Sequence, residues 1–239
     1  MTRDIIIGID AGTSVIKSVA FIIDGEQLAV TAIPNVYTTL DDGGAEQDMA
    51  RTWTDTATTL RDLAGKVPRL NERLAAIAVT GQGDGIWLID EKGEPVAPAW
   101  LWLDSRAASI TEDYIASPAY AAHYRRTGSG VNACQQSVQL TWMKRHRPDV
   151  LARAISSHHC KDWLYFKLTG ERATDPSEAN FTFGNYRTMQ YEPGILDDLG
   201  NSESKRLLPR IVNGTEQSHG LSEAAAKETG LPAGTPIVL

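Results

Sequence analysis

The sequence predicts an α/β fold: a three-stranded antiparallel meander, then a helix and further strands, carrying a mostly helical second half. Three observations point there. Apolar runs at residues 5–9, 15–23 and 28–33 lie only a few residues apart and read as strands. Asp24-Gly25, between the second and third runs, is a hairpin signal, because both residues accept the positive φ of a tight turn. Met49, Trp53, Ala57, Leu60 and Ala64 then recur at helical spacing, the single apolar stripe of a helix lying on a core.

Each element follows in order. Residues 5–9 are apolar without interruption, so that strand is expected to be buried on both faces. Ala11-Gly12 turns the chain into the second strand, and Pro34 stops the third. Gly65 and Pro68 are expected to end the helix. Residues 74–79 and 86–89 supply two more strands, separated by Gly81-Gln-Gly-Asp-Gly85. Beyond Pro98 the texture turns helical, at 105–115, 137–145 and 161–168, with Pro148, Gly170, Pro176 and Gly194 as punctuation. No internal repeat or low-complexity tract interrupts it. The last residues, Gly234-Thr-Pro-Ile-Val-Leu239, begin a strand, so the chain reads as a piece of a longer protein.

Composition narrows the function classes. A chain of 239 residues with 42% apolar and 22% charged residues can bury a sizeable core and has the balance of a soluble globular protein. No apolar stretch approaches bilayer length, and Asp4 stands where a secretory peptide would be hydrophobic. A net charge of −7 argues against nucleic acid or an anionic membrane as the partner. Two cysteines, Cys134 and Cys160, are too few for a disulfide framework, so a reducing cytoplasm is expected. The Asn213-Gly-Thr215 sequon is then without meaning.

The most informative stretch is Asp10-Ala-Gly-Thr-Ser-Val-Ile-Lys17. A carboxylate at the tip of a buried strand is costly unless it meets a cation. Gly12 allows close approach of the backbone to a ligand. Thr13 and Ser14 offer hydroxyls and amides to an anion, and Lys17 can place an ammonium over a phosphate. A metal-bearing phosphoryl group fits all of these at once; a polar hairpin turn capped by Asp10 is the plainer alternative. Other phosphate patterns are absent. No Gly-x-x-x-x-Gly-Lys loop occurs, and Gly12 stands where a dehalogenase-type phosphatase needs a second carboxylate. Gly81-Gln-Gly-Asp-Gly85 places its third glycine one residue early and leads into a strand, which excludes a dinucleotide loop. Glu46-Gln-Asp48 reads as a binding or capping segment opening the helix at Met49. His158-His159-Cys160 reads as structural, because three adjacent residues cannot converge on one ion.

Five motifs in order resemble the FGGY family of carbohydrate kinases over nearly the whole chain. They are Ile7-Gly-Ile-Asp-Ala-Gly-Thr-Ser14, Glu46-Gln-Asp48, Thr80-Gly-Gln-Gly-Asp-Gly85, Trp102-Leu-Asp-Ser-Arg106, and Leu168-Thr-Gly170 with Thr174-Asp-Pro-Ser177. The resemblance implies the actin-like ATPase fold: two domains on ribonuclease-H-like cores, with ATP and sugar in the cleft between them. Residues 1–239 would be the N-terminal, sugar-binding domain, partnered by a C-terminal ATP-binding domain of the same protein; a homodimer is compatible with this. Asp10 would hold magnesium through water, with Gly12, Thr13, Ser14 and Lys17 beside the ATP phosphate. Gln82, Gly83 and Asp84 would contact sugar hydroxyls, Trp102 would form an apolar wall, and Asp104 and Arg106 would shape the pocket.

In that family the catalytic base is an aspartate soon after a Gly-x-Pro-Val strand. Gly234-Thr-Pro-Ile-Val238 matches the strand, so the base is expected beyond Leu239 and the chain alone is expected to be inactive. Departures from the family bear on substrate. Ala133 and Gln139 replace a Pro and a Lys common in relatives, and Cys134 falls near an aromatic position of glycerol kinases. Gly83-Asp84 replaces the Met-His of xylulokinases and the Arg-Glu of glycerol kinases. The combination is most similar to the erythritol kinases, a subgroup acting on a four-carbon polyol.

Overall fold

The computed structural model describes residues 3–239. The meander forms as expected: β1 (Ile5–Ala11), β2 (Val15–Ile22) and β3 (Gln27–Pro34) pair antiparallel in sequence. They make half of a six-stranded sheet, whose other strands are Leu74–Gly81, Pro236–Val238 and the short edge His219–Gly220. β1 lies parallel to Leu74–Gly81, which in turn lies parallel to Pro236–Val238. This order and sense are those of a ribonuclease-H-like core.

Helix α1 (Met49–Lys66) packs Trp53, Ala57, Leu60 and Leu63 into the core. Its N-terminus is capped by Asp48, which accepts a 3.0 Å bond from the Arg51 amide, as the capping reading of Glu46-Gln-Asp48 expects. The helix runs through Gly65, and its last amide bond is made by Val67 to the Leu63 carbonyl. Gly65 therefore does not end it; the chain leaves the helix in extended backbone just before Pro68, the conformation that a following proline imposes.

Burial of β1 differs from expectation. Ile5, Ile7, Ile9 and Ala11 are wholly buried, whereas Ile6, Gly8 and Asp10 are only half-covered. Both α1 and the Cys160–Thr169 helix feed the one apolar cluster containing Ile5, Ile7 and Ile9, so covering is one-sided. The strand expected at 86–89 is present as Trp87–Ile89, but it pairs with Ser156–His158 and stands outside the main sheet. The turn before it explains why. Asp84 (φ 55°) and Gly85 (φ 77°) are both left-handed, and a Cβ on Gly85 would lie 2.1 Å from the Trp100 carbonyl oxygen.

The second half is mostly helical, including Ala108–Ile115, Gln136–His146 and Cys160–Thr169 where sequence spacing expects helices. Tyr120–Thr127, Pro148–Arg153, Pro176–Thr182 and Glu223–Thr229 were not anticipated; at eight residues or fewer they carry little periodicity to detect. Among the described residues no helix is long and apolar enough to cross a membrane.

One buried ion cluster ties the two halves together. Arg106 makes a 2.6 Å pair with Asp104 and a 2.9 Å pair with Glu46. Its guanidinium stacks 3.5 Å over the Trp100 ring, and Asp104 also accepts from the Ala45 amide at 2.9 Å. These contacts join the paired strands Ala45–Gln47 and Ala99–Trp100 to the loop that carries Trp102. Removing the cation leaves a wholly buried carboxylate without its partner. Arg106→Ala is therefore expected to cost about 3–5 kcal/mol, measured by urea unfolding. Arg106→Lys should recover only part of it, because an ammonium neither forks onto a carboxylate nor stacks on indole.

Candidate active site

The site begins with a register. β1 and Leu74–Gly81 pair so that Asp10 faces Thr80 and Ala11 faces Gly81. The Gln82 amide then continues the ladder, donating to the Ala11 carbonyl at 2.9 Å. Two motifs some seventy residues apart thus end side by side at the carboxyl edge of the sheet. Between them opens a cavity of about 580 Å³, walled by Asp10, Gly12 and Thr13 on one side and Gln82, Gly83 and Asp84 on the other. Trp102, half exposed, closes its rim.

At the first end, Asp10 and Lys17 are cross-strand partners and form a 3.0 Å ion pair with both side chains still partly exposed. The turn between them is clamped from outside. Asn35 donates from its side chain to the Gly12 carbonyl at 2.8 Å and from its amide to the Ser14 carbonyl at 2.9 Å. Ser14 is exposed and does not line the cavity. Thr13 is fixed by a relay: the Trp102 indole N–H donates to its hydroxyl at 2.9 Å, and that hydroxyl donates to Gln82 at 3.2 Å. Gln82 passes the chain on to Gln47 at 2.8 Å, and Gln47 to Thr52 at 2.6 Å. This network, which runs from the exposed Trp102 rim to a buried Gln82–Gln47–Thr52 end and in which each group orients the next, ties the two motifs together.

At the second end, Asp84 Oδ1 is buried and has no hydrogen-bond partner among the described residues, while its Oδ2 receives a weak 3.5 Å bond from the Cys134 thiol. Burial raises the Asp84 pKa, and the positive charge of His159 acts against that rise. Asp104 is not here. It is fully buried beneath the Trp102 loop, its carboxylate committed to Arg106 and the Ala45 amide. Asp104, expected to bind substrate, and Arg106, expected to shape the pocket, do not line the cavity; they hold the loop from which Trp102 projects.

Sequence reasoning passed over Glu178 and Phe181, which also line the cavity. Both sit on Pro176–Thr182, a helix opened by Asp175, whose carboxylate accepts from the Glu178 amide at 2.8 Å. The signal was available in Thr174-Asp-Pro-Ser177, a cap followed by a first-turn proline. Behind Glu178 lies His159, with Nδ1 3.5 Å from Glu178 and 3.2 Å from Asp162. Lys161 pairs with Asp162 at 2.7 Å and with Asp175 at 3.4 Å. The His158-His159-Cys160 run is buried throughout; His159 lies against Glu178, and the Cys160 thiol packs behind Ala11 and Gly81. A neighbouring hollow of about 730 Å³ shares Phe181, but it is lined by Tyr124, Arg125 and Arg187 and carries no residue of the two sheet-edge motifs.

The chain matches the model of the FGGY family of carbohydrate kinases, N-terminal domain, over residues 5–239. It is 52% identical to a protein named erythritol kinase from Brucella abortus (strain 2308), across 99% of this chain and 45% of that protein. It is 30% identical to the L-xylulose/3-keto-L-gulonate kinase of Escherichia coli (strain K12), across 97% of this chain and 47% of that protein. The crystal structure of xylulose kinase from Rhodospirillum rubrum superposes with a TM-score of 0.90 at 25% identity, covering 98% of this chain and 48% of that one. The chain thus spans about half the length of the curated relatives it matches.

The two histidines should titrate far apart. Burial opposes a charge on both, but the Glu178 and Asp162 carboxylates raise the His159 pKa above its ordinary value, whereas burial drives that of His158 down to about 4. A raised folded-state pKa contributes stability that is full below the unfolded value, near 6.5, and is lost as pH climbs through the folded value. Imidazole NMR should find His159 still protonated above pH 6.5 and His158 neutral there. The unfolding free energy should fall on that alkaline side, and His159→Gln should abolish this fall.

Proposed function

The chain belongs to the FGGY family of carbohydrate kinases, and from that premise we propose that it is the N-terminal, sugar-binding domain of an ATP-dependent kinase acting on a terminal hydroxyl of a small polyol. Erythritol is the leading candidate substrate. The observation that carries the reading is that one cavity runs from Asp10, which is ion-paired with Lys17 outside the lining, to Asp84, with the Trp102 ring at the rim. The identity with a protein named erythritol kinase supports the choice of polyol, as does the small Gly83 beside Asp84.

The donor set at the charged end fits a magnesium-bound triphosphate: one accessible carboxylate for a hard cation and one ammonium for a phosphate oxygen. Asp10 would hold the metal through water, Lys17, Thr13, Ser14 and Gly12 would border the phosphates, and ATP would supply the phosphoryl group. The chain's own residues do the recognition. Asp84 accepts hydrogen bonds from substrate hydroxyls, strong because its oxygen is charged and shielded from water. Trp102 covers C–H groups of the polyol and excludes solvent. Gln82, held by Gln47 and Thr13, keeps the two ends at a constant separation, so that the terminal hydroxyl is directed toward Asp10. Positioning of this kind is a large part of catalysis in phosphoryl transfer. The proton-accepting aspartate belongs, on this reading, to a segment following Gly234–Val238, and the adenosine site to a second domain, in a cytoplasmic enzyme.

Coupled ADP release by the full-length protein tests this against erythritol, glycerol, xylulose and ribulose. Erythritol-dependent turnover is expected, with none from residues 1–239 alone. Asp84→Asn should lower kcat/KM for the polyol by about 10- to 100-fold. Polyol binding by the full-length protein without ADP release would replace the kinase reading with that of a sugar-sensing module.

A further inference from the structure

Glu178 is the cavity residue whose chemistry is unaccounted for. Its side chain is only 16% exposed, and that exposure opens into the cavity it shares with Asp84 and Gly83. Among the described residues no donor hydrogen-bonds its carboxylate. Its amide is used by Asp175, and its nearest cationic neighbour, His159, stands off at 3.5 Å and gives its hydrogen bond to Asp162. A carboxylate so enclosed needs donors. Asp84 is in the same condition, with Oδ1 buried and unpartnered. Two carboxylates with unfilled acceptor capacity, both under the influence of His159, therefore face one small cavity.

Gly83 explains how Glu178 becomes available. The backbone there does not take a positive φ, so its conformation does not demand glycine. A Cβ at 83 would, however, sit 3.3 Å from Glu178 Oε1, and any larger side chain would come between that oxygen and the cavity. The missing side chain leaves the carboxylate uncovered.

Resting on the reading of this cavity as the polyol site, we propose that Glu178 is a second substrate-recognising residue, which together with Asp84 accepts hydrogen bonds from two different hydroxyls of the polyol through the opening left by Gly83. The consequence for specificity is direct. Two carboxylates reward a ligand rich in O–H donors and repel one that carries its own carboxylate, so neutral polyols are selected over sugar acids. His159 is a positioning residue in this arrangement, holding Glu178 from behind without reaching the ligand.

The test compares wild-type full-length protein with Glu178→Ala and Glu178→Gln. The substrates are erythritol, the two enantiomers of butane-1,2,4-triol (one internal hydroxyl missing) and butane-1,2,3-triol (one terminal hydroxyl missing). Glu178→Ala should raise KM for erythritol by about 10-fold or more, the scale of a hydrogen bond to a charged group, with kcat within about 3-fold. Glu178→Gln, which keeps an acceptor, should recover part of the loss. One triol should be about 10-fold poorer than erythritol for wild type yet nearly equal to it for Glu178→Ala, a coupling that a merely structural glutamate would not produce. Should Glu178→Ala fold poorly, Gly83→Val covers the same carboxylate from the cavity side and should raise KM likewise. Unchanged KM in the folded variants, or the same triol penalty in every enzyme, overturns the assignment while leaving the kinase reading intact. A wild-type protein that phosphorylates no polyol overturns both.

Discussion

The parallel pairing of β1 with Leu74–Gly81 is the constraint on which the rest of this molecule hangs. Side chains alternate across a strand, so a slip of one residue would send every inward residue to the opposite face. Ile5, Ile7 and Ile9 on β1, and Ile77 and Val79 opposite, are all buried on one side, which makes such a slip prohibitively costly. The same register that satisfies the core puts Asp10 beside Thr80 and hands the ladder on from Ala11 to Gln82. A hydrophobic requirement in the sheet thus decides the spacing of polar groups at its edge.

Beyond that edge the architecture is held by polar groups that the fold has removed from water. Arg106 connects Asp104, Glu46 and the Trp100 face, and so fixes the loop whose indole reaches Thr13. The Thr13–Gln82–Gln47–Thr52 relay then reaches α1. Such groups leave little room for rearrangement, because each would be left buried and unsatisfied if its neighbour moved. Asp84 and Glu178 stand apart from that relay: among the described residues Asp84 Oδ1 is buried without a partner, no donor hydrogen-bonds the Glu178 carboxylate, and both residues line one cavity. A wall held rigid by hydrogen-bonded side chains, with acceptors left open beside it, is what a preorganised binding site requires.

Much of the fold was legible in the chain. The meander and α1 announce themselves by periodicity and by Asp24-Gly25, because those elements are long enough for a repeat to show. Legibility failed where the decisive contacts are distant or the elements short. Continuous apolarity in residues 5–9 suggested burial on both faces, but both covering helices pack on the same side. Residues 86–89 read as a strand, but nothing local says which strand it meets; after the left-handed backbone at Asp84 and Gly85 it pairs with Ser156–His158. Of the residues expected from the motifs, Asp10, Gly12, Thr13, Gln82, Gly83, Asp84 and Trp102 line one cavity, whereas Ser14 and Lys17 do not. Asp104 was expected in that pocket from the family resemblance, but its carboxylate is committed to Arg106 and the Ala45 amide.

What the sequence by itself determined is the set of elements and the chemical vocabulary: local periodicity, turn residues and five ordered motifs, each written within a dozen residues. Only the tertiary structure decided which of those residues meet. Glu178 and His159 acquire their place because a short capped helix folds back over Gly83 across roughly a hundred residues of chain. No local pattern records such a contact, since it is selected by packing between distant surfaces, and the burial of charge that gives these residues their character exists only once the surfaces have closed.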